Sequence, residues 1–204
     1  NEYVSAHMIE PDYTPLTAYP VAHTVGTEGK VTADAVIVDL QTREDLDAVR
    51  GKLRGKAVLI SSPAVIDLAT LTNGVPRYTD EQLAALERTT IVPARPAPPR
   101  AIRNTALITP IERIAFFKSE GVAIVLQTDG NRIAIVPGYS RPGSREDGWS
   151  AEGMRGSVPI LAVTPEHYNR MHRVLRRGIA VKVEVEIRNR IGDRVEQAMN
   201  LIGE

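Results

Sequence analysis

The chain has no cysteine. That excludes disulfide frameworks, thiolate zinc sites and cysteine nucleophiles, while fitting either side of a membrane. Aromatic residues are scarce, 4% of 204, and Trp149 is the single tryptophan. Neither sign of charge is in excess: 25 Lys and Arg balance 25 Asp and Glu, which leaves no footprint for nucleic acid or an anionic membrane surface. No apolar run approaches the roughly 20 residues of a membrane-spanning helix. Neither nucleic acid nor membrane is an expected partner. The four histidines are His7, His23, His167 and His172. His167 and His172 stand five apart on one expected helix and point to different sides, whereas two zinc ligands on one helix face need a spacing of four. Asn1 follows neither an initiator Met nor a signal peptide, so the chain reads as a processed or excised piece.

What is present is organised around residues 107–127. Thr109 is a good N-cap, Pro110 suits the first helical position, and Glu112 stands where a capping box needs a carboxylate. Ile111, Ile114, Ala115 and Lys118 are expected on one helix face, Gly121 at the left-handed stop, and Val122–Leu126 as an apolar strand. A strand apolar on both faces has to be covered on both.

Residues 1–30, punctuated by Pro11, Pro15, Pro20, Gly26 and Gly29, read as an extended lead-in. Val31–Leu40 alternates as a strand, with Val36 and Val38 on one face and Ala35 and Ile37 on the other; Thr42–Val49 suits a short helical turn and Ala57–Ile60 a second apolar strand. Thr79–Arg88 reads as a helix with a Thr79/Gln82 capping box and Leu83 and Leu86 facing inward. Residues 62–105, which include the Pro-rich stretch around Pro93, Pro96, Pro98 and Pro99, form an excursion from the core. Asp129-Gly130 signals a hairpin from Val122–Gln127 to Arg132–Val136. Residues 137–157 hold five Gly and two Pro and read as a long polar loop. Val158–Val163 reads as a strand, followed by Thr164 and Pro165 in the same arrangement as Thr109 and Pro110. The helix 165–176 buries Tyr168, Met171, Val174 and Leu175 and stops at Gly178. Val181, Val183, Val185 and Ile187 alternate with charged residues in a last strand that has one wet face and is antiparallel or at an edge. Residues 1–190 thus make one domain, and 191–204 a truncated connection toward something else.

Chemistry is sparse. Gly138-Tyr-Ser-Arg-Pro-Gly143 places Ser140 in a superficial likeness of a nucleophile elbow, but Pro142 stands where that motif needs its second glycine. No phosphate loop or dinucleotide fingerprint is present. Tyr139, Arg141, Arg145 and Trp149 gather in the long loop. They are the candidate substrate- or partner-facing residues, and the competing reading is that the aromatics pin the loop to its own domain.

Three stretches, Arg-Gly-Lys-Ala-Val-Leu-Ile-Ser at 54–61, Ser-Glu-Gly-Val-Ala-Ile-Val-Leu at 119–126 and Val-Pro-Ile-Leu-Ala-Val-Thr-Pro-Glu-His-Tyr-Asn-Arg at 158–170, resemble a protease-associated (PA) domain in their order and spacing. Met-Ile-Glu-Pro-Asp-Tyr-Thr-Pro-Leu at 8–16, Arg-Tyr-Thr-Asp-Glu-Gln-Leu at 77–83 and Ala-Met-Asn-Leu-Ile-Gly-Glu at 198–204 resemble the PA insert of secreted two-zinc exopeptidases of the aminopeptidase and carboxypeptidase Q type. The resemblance implies an α+β fold: a PA-type swivelling β/β/α unit, with a curved sheet or open β-barrel flanked by helices. It also implies a non-catalytic lid, or a substrate-access or protein-interaction module, beside a metallopeptidase active site. That family's two zinc ions sit on a His, Asp, Glu, Asp, His set with a general-base Glu, all beyond the end of this chain. No catalytic or metal-binding residue is therefore expected here. Expected partners are the chain's own catalytic peptidase domain and peptide substrate, in a secreted or periplasmic setting. The alternative is a free-standing peptide- or protein-binding module of the same fold, as in sorting receptors. A hydrolase of its own would rest on Ser140 alone.

Overall fold

The computed structural model describes residues 2–66, 78–88, 107–128 and 150–190. The chain divides into two units, Asn1–Ile66 with Ala106–Glu204, and Asp67–Thr105. The larger unit carries strands β1 (Tyr3–Glu10), β2 (Thr14–Pro15), β3 (Ala18–Pro20) and β4 (Val31–Ile37), helix α1 (Arg43–Val49) and strand β5 (Ala57–Leu59). Helix α2 (Asp80–Glu87) belongs to the smaller unit. The larger unit resumes with α3 (Pro110–Glu120), β6 (Ile124–Gln127), α4 (Ala151–Arg155), β7 (Ile160–Val163), α5 (Pro165–Arg176) and β8 (Lys182–Arg188).

The eight strands form one mixed sheet in the order β2-β1-β8-β4-β5-β6-β7-β3. Strands β4 to β7 run parallel, and the remaining pairings are antiparallel. In a flat sheet β2 and β3 would lie roughly 34 Å apart, at about 4.8 Å per strand spacing. Yet only Leu16 and Thr17 separate them, and three Cα steps reach at most about 11 Å. The sheet therefore curls until its two ends meet. Leu16 N–H donates to Ala6 C=O of β1 at 2.9 Å, and Thr164 N–H beyond β7 donates to Thr17 C=O at 3.0 Å, so one short segment ties both margins. The lead-in is extended, as its prolines require, but it is part of the sheet: β1 pairs with β8 along its length. Its moderate hydropathy hid this, since only Ala6 and Met8 of β1 are fully buried.

Two apolar clusters cover the sheet's faces. Alternation along β4 sends Ala33, Ala35 and Ile37 to one, while Val36 joins Val38 and Leu40 in the other. Strand β6 divides in the same way, with Ile124 and Leu126 in the first cluster and Val125 in the second. This is the two-sided cover that its unbroken apolar sequence requires. Tyr168 and Met171 of α5 fill the first cluster between β1, β8 and the parallel strands. Phe116 and Phe117 of α3 fill the second. Strand β8 is antiparallel to both neighbours and interior to the sheet, not at an edge. Its wet face carries Lys182 against Glu10 at 2.7 Å and Glu184 against Lys30 at 3.0 Å.

Helix α3 starts on the expected capping box: Glu112 N–H donates to Thr109 Oγ1 at 3.1 Å, and Thr109 N–H donates to the Glu112 carboxylate at 2.6 Å. Gly121 closes it with φ 70°, a conformation that costs a side-chain-bearing residue strain. Its buried face keeps Ile114 of the expected one and is otherwise different. Phe116 and Phe117 are buried and Ile111 is exposed, because the larger rings remove more apolar area from water and set the helix rotation. Thr164 likewise departs from expectation. It makes no side-chain capping bond, and its hydroxyl lies 3.4 Å from His167 Nδ1. Within the expected loop 137–157, α4 forms on Ser150, whose Oγ accepts from Gly153 N–H at 3.0 Å. In the smaller unit α2 has its Thr79/Gln82 capping box, but Leu83 and Leu86 are half exposed rather than inward. The expected hairpin at Asp129-Gly130 lies outside the described residues.

Candidate functional site

Helix α5 makes polar attachments from four consecutive positions. Its buried residues, spaced to keep one side in the core, fix its rotation and aim the rest at neighbouring backbone. His167 Nδ1 accepts from Thr17 N–H at 2.9 Å, which requires that nitrogen to be unprotonated. Tyr168 is fully buried, and its Oη both accepts from Ser61 N–H and donates to Ser61 C=O, at 2.8 Å each. Burial pushes the phenol up to about 12, against the opposing effect of its bonds to Ser61. Asn169 clasps the backbone of Ala64, accepting from its N–H and donating to its C=O at 2.8 Å each. Arg170 donates to Thr14 Oγ1 at 2.7 Å and to the Asp12 carboxylate at 2.5 Å. The stretch His167-Tyr168-Asn169-Arg170 is thus a structural latch. It holds the β1–β3 connection and the chain just after β5, which leads toward residue 66.

A small pocket opens on the other face, between β6 and the first half of α3. It has a volume of about 40 Å³, and its walls include Val21, Ile114, Phe117, Val125 and Ile160. Two polar side chains line it, Arg113 of α3 and Gln127 at the end of β6. Burial lowers the Arg113 guanidinium from its ordinary value, opposed by the charge of Asp39. Sequence reading passed over both residues. The available signals were an Arg four positions before Phe117, on the helix face that the phenylalanines bury, and a Gln two positions after Val125, on the same strand face.

The sequence-derived candidates Tyr139, Arg141, Arg145 and Trp149 all lie outside the described residues, as does Ser140. His7 accepts or donates at both ring nitrogens, to Ser5 Oγ at 2.8 Å and Tyr13 Oη at 2.9 Å, and stacks on Tyr13. His172 is lowered by burial and by Arg176. Among the described residues no group of three His, Asp or Glu side chains is placed to hold a metal ion, so they do not fit the two-zinc site that the resemblance assigns to the parent. None of the described helices is long and apolar enough to cross a membrane.

No family model and no curated protein matches the chain. Solved structures do. An aminopeptidase from Aneurinibacillus sp. strain AM-1 matches 92% of this chain and 31% of its own, with TM-score 0.51 and 15% identity. The shared feature is the fold. A peptidase M28 precursor from Shewanella amazonensis SB2B covers 90% of this chain and 34% of its own, at 15% identity and TM-score 0.45. BSAP, a zinc aminopeptidase from Bacillus subtilis, covers 90% of this chain and 30% of its own, at 10% identity and TM-score 0.47. The chain spans about a third of the length of these structures. Its curled mixed sheet with flanking helices is therefore an α+β fold that also occurs as part of an aminopeptidase.

Proposed function

We propose that the chain is a non-catalytic PA-type domain of a secreted or periplasmic zinc exopeptidase, an aminopeptidase or carboxypeptidase, and acts as a lid or substrate-access module beside the active site. One observation carries the reading: nearly all of this chain matches about a third of the Aneurinibacillus aminopeptidase. The remaining two thirds of such an enzyme leaves room for a separate catalytic domain, and the motifs at 8–16, 54–61, 119–126 and 158–170 point the same way. Under this reading zinc and its chemistry belong to that other domain. This chain contributes a rigid curled sheet, with the loop bearing Tyr139, Arg141, Arg145 and Trp149 facing the cleft. Closure of such a domain favours reaction by positioning substrate and excluding water.

The test is made on the full-length enzyme, by deleting residues 1–190 and joining the flanking ends. Turnover of a minimal aminoacyl substrate should survive while discrimination among longer peptides changes. Loss of zinc together with all turnover from a folded deletion variant would place catalytic groups in this chain and end the proposal.

A further inference from the structure

We infer that the pocket between β6 and α3 is a binding site for a small carboxylate on a short aliphatic chain, held by Arg113 and Gln127. The inference stands apart from the peptidase reading and rests on what lines the pocket. Among the described residues neither side chain has a hydrogen-bond or ion-pair partner. Asp39 favours the charged Arg113 through space without closing an ion pair, and its own Oδ1 accepts from Gln41 Nε2 at 2.8 Å. A guanidinium drawn part-way out of water and left unpaired costs free energy that an incoming anion recovers. Its planar fork matches the two oxygens of a carboxylate, and the Gln127 amide N–H can serve a remaining lone pair.

The other walls select the rest of the ligand. Val21, Phe117, Val125 and Ile160 offer no polar side-chain atom, so they suit methyl or methylene groups. A dianion such as phosphate would bring a second charge, and Arg113 is the one cationic side chain among the lining residues. A neutral amide would leave the guanidinium unanswered. At about 40 Å³ and open on one side, the pocket limits the enclosed part of a ligand to a carboxylate and a short stem. Propionate is the natural probe.

The experiment is a titration of the 204-residue chain with sodium propionate against sodium chloride at constant ionic strength, followed by two-dimensional amide NMR. Saturable shifts confined to α3, β6 and Val21 are expected. Propionamide and the Arg113→Met variant should each bind at least tenfold more weakly. Arg113→Met should also melt no lower than the parent, since it replaces a half-buried charge with an apolar chain of similar length; a lower melting temperature would make Arg113 structural and overturn the assignment. Gln127→Leu, which leaves Arg113 in place, should bind propionate several-fold more weakly. Acetyl-Gly-Ala presents the same carboxylate at a peptide end, so its affinity relative to propionate tells a peptide terminus from a free acid, and either preference supports the site. Equal binding of propionamide and propionate, undiminished binding by Arg113→Met, or no saturation by any carboxylate would overturn it.

Discussion

Replacing Tyr168 with Phe keeps the ring that fills the first cluster and removes the hydroxyl that satisfies both backbone groups of Ser61. Each such bond is worth about 1 kcal/mol net, and a buried group left unmet costs more. Ser61 is only partly buried, so water can replace some of what is lost. The expected destabilisation is therefore about 2 kcal/mol, which in a chain of this size lowers Tm by roughly 4–8 °C. The alkaline limb gives a second readout. The phenol moves from an ordinary 10.0 to about 12 in the folded state, so the folded chain holds this proton more tightly than the unfolded one. Stability from this group is fully present below pH 10 and is lost as pH rises through 12, by on the order of 2–3 kcal/mol at about 1.4 kcal/mol per unit. Urea melts of parent and Tyr168→Phe at pH 7 and at intervals from pH 9 upward measure both effects. A variant within 0.5 kcal/mol of the parent at pH 7, with the same alkaline limb, would refute the reasoning.

Thr109→Ala removes the side-chain acceptor of the α3 capping box and should cost about 1 kcal/mol by chemical denaturation, whereas Thr164→Ala, which loses no capping bond, should cost less. Gly26→Ala would drive a methyl group into the backbone carbonyl of Ile187, which cannot move without breaking the β8 connection, so a loss of about 2 kcal/mol or more in the same assay is expected. Arg170→Ala breaks contacts to Asp12 and Thr14 that are partly exposed to solvent, and should cost no more than about 1 kcal/mol, less in high salt. In the full-length enzyme, Trp149→Ala should raise KM for longer peptides by the equivalent of about 1–3 kcal/mol while sparing a minimal aminoacyl substrate; a fall in Tm with unchanged kinetics would instead make Trp149 a brace for its own domain.

Local signals carried most of the element assignments. The Thr109-Pro110-x-Glu112 start, the Gly121 stop and the unbroken apolar run after it define α3 and β6 by short-range sterics and hydrogen bonding; α3 lies where the residues place it, and β6 begins at Ile124 rather than Val122. The alternation of Val183, Val185 and Ile187 with charged residues defined β8 equally well. What stayed hidden depends on contacts distant in sequence. Nothing local says that residues 14–20 tie both margins of the sheet, because those bonds join Leu16 to Ala6 and Thr17 to Thr164. The roles of Tyr168 and Asn169 are likewise set by backbone groups more than a hundred positions away. The rotation of α3 was legible only at Ile114, because Ile111 and Ala115 complete a plausible apolar stripe, and only packing in the cluster that holds Val58 and Val125 makes Phe116 and Phe117 the buried pair. Arg113 went unnoticed for the same reason, since its burial follows from that rotation.

Whether the chain is a metal-free domain serving a two-zinc partner is decided by the zinc-to-protein ratio of the full-length enzyme and of residues 1–204, both dialysed against the same metal-free buffer. Two zinc ions per full-length chain and no stoichiometric zinc in residues 1–204 are the expected result. One tightly held zinc per isolated chain, or none in an active full-length enzyme, would rule out a metal-free domain beside a two-zinc partner.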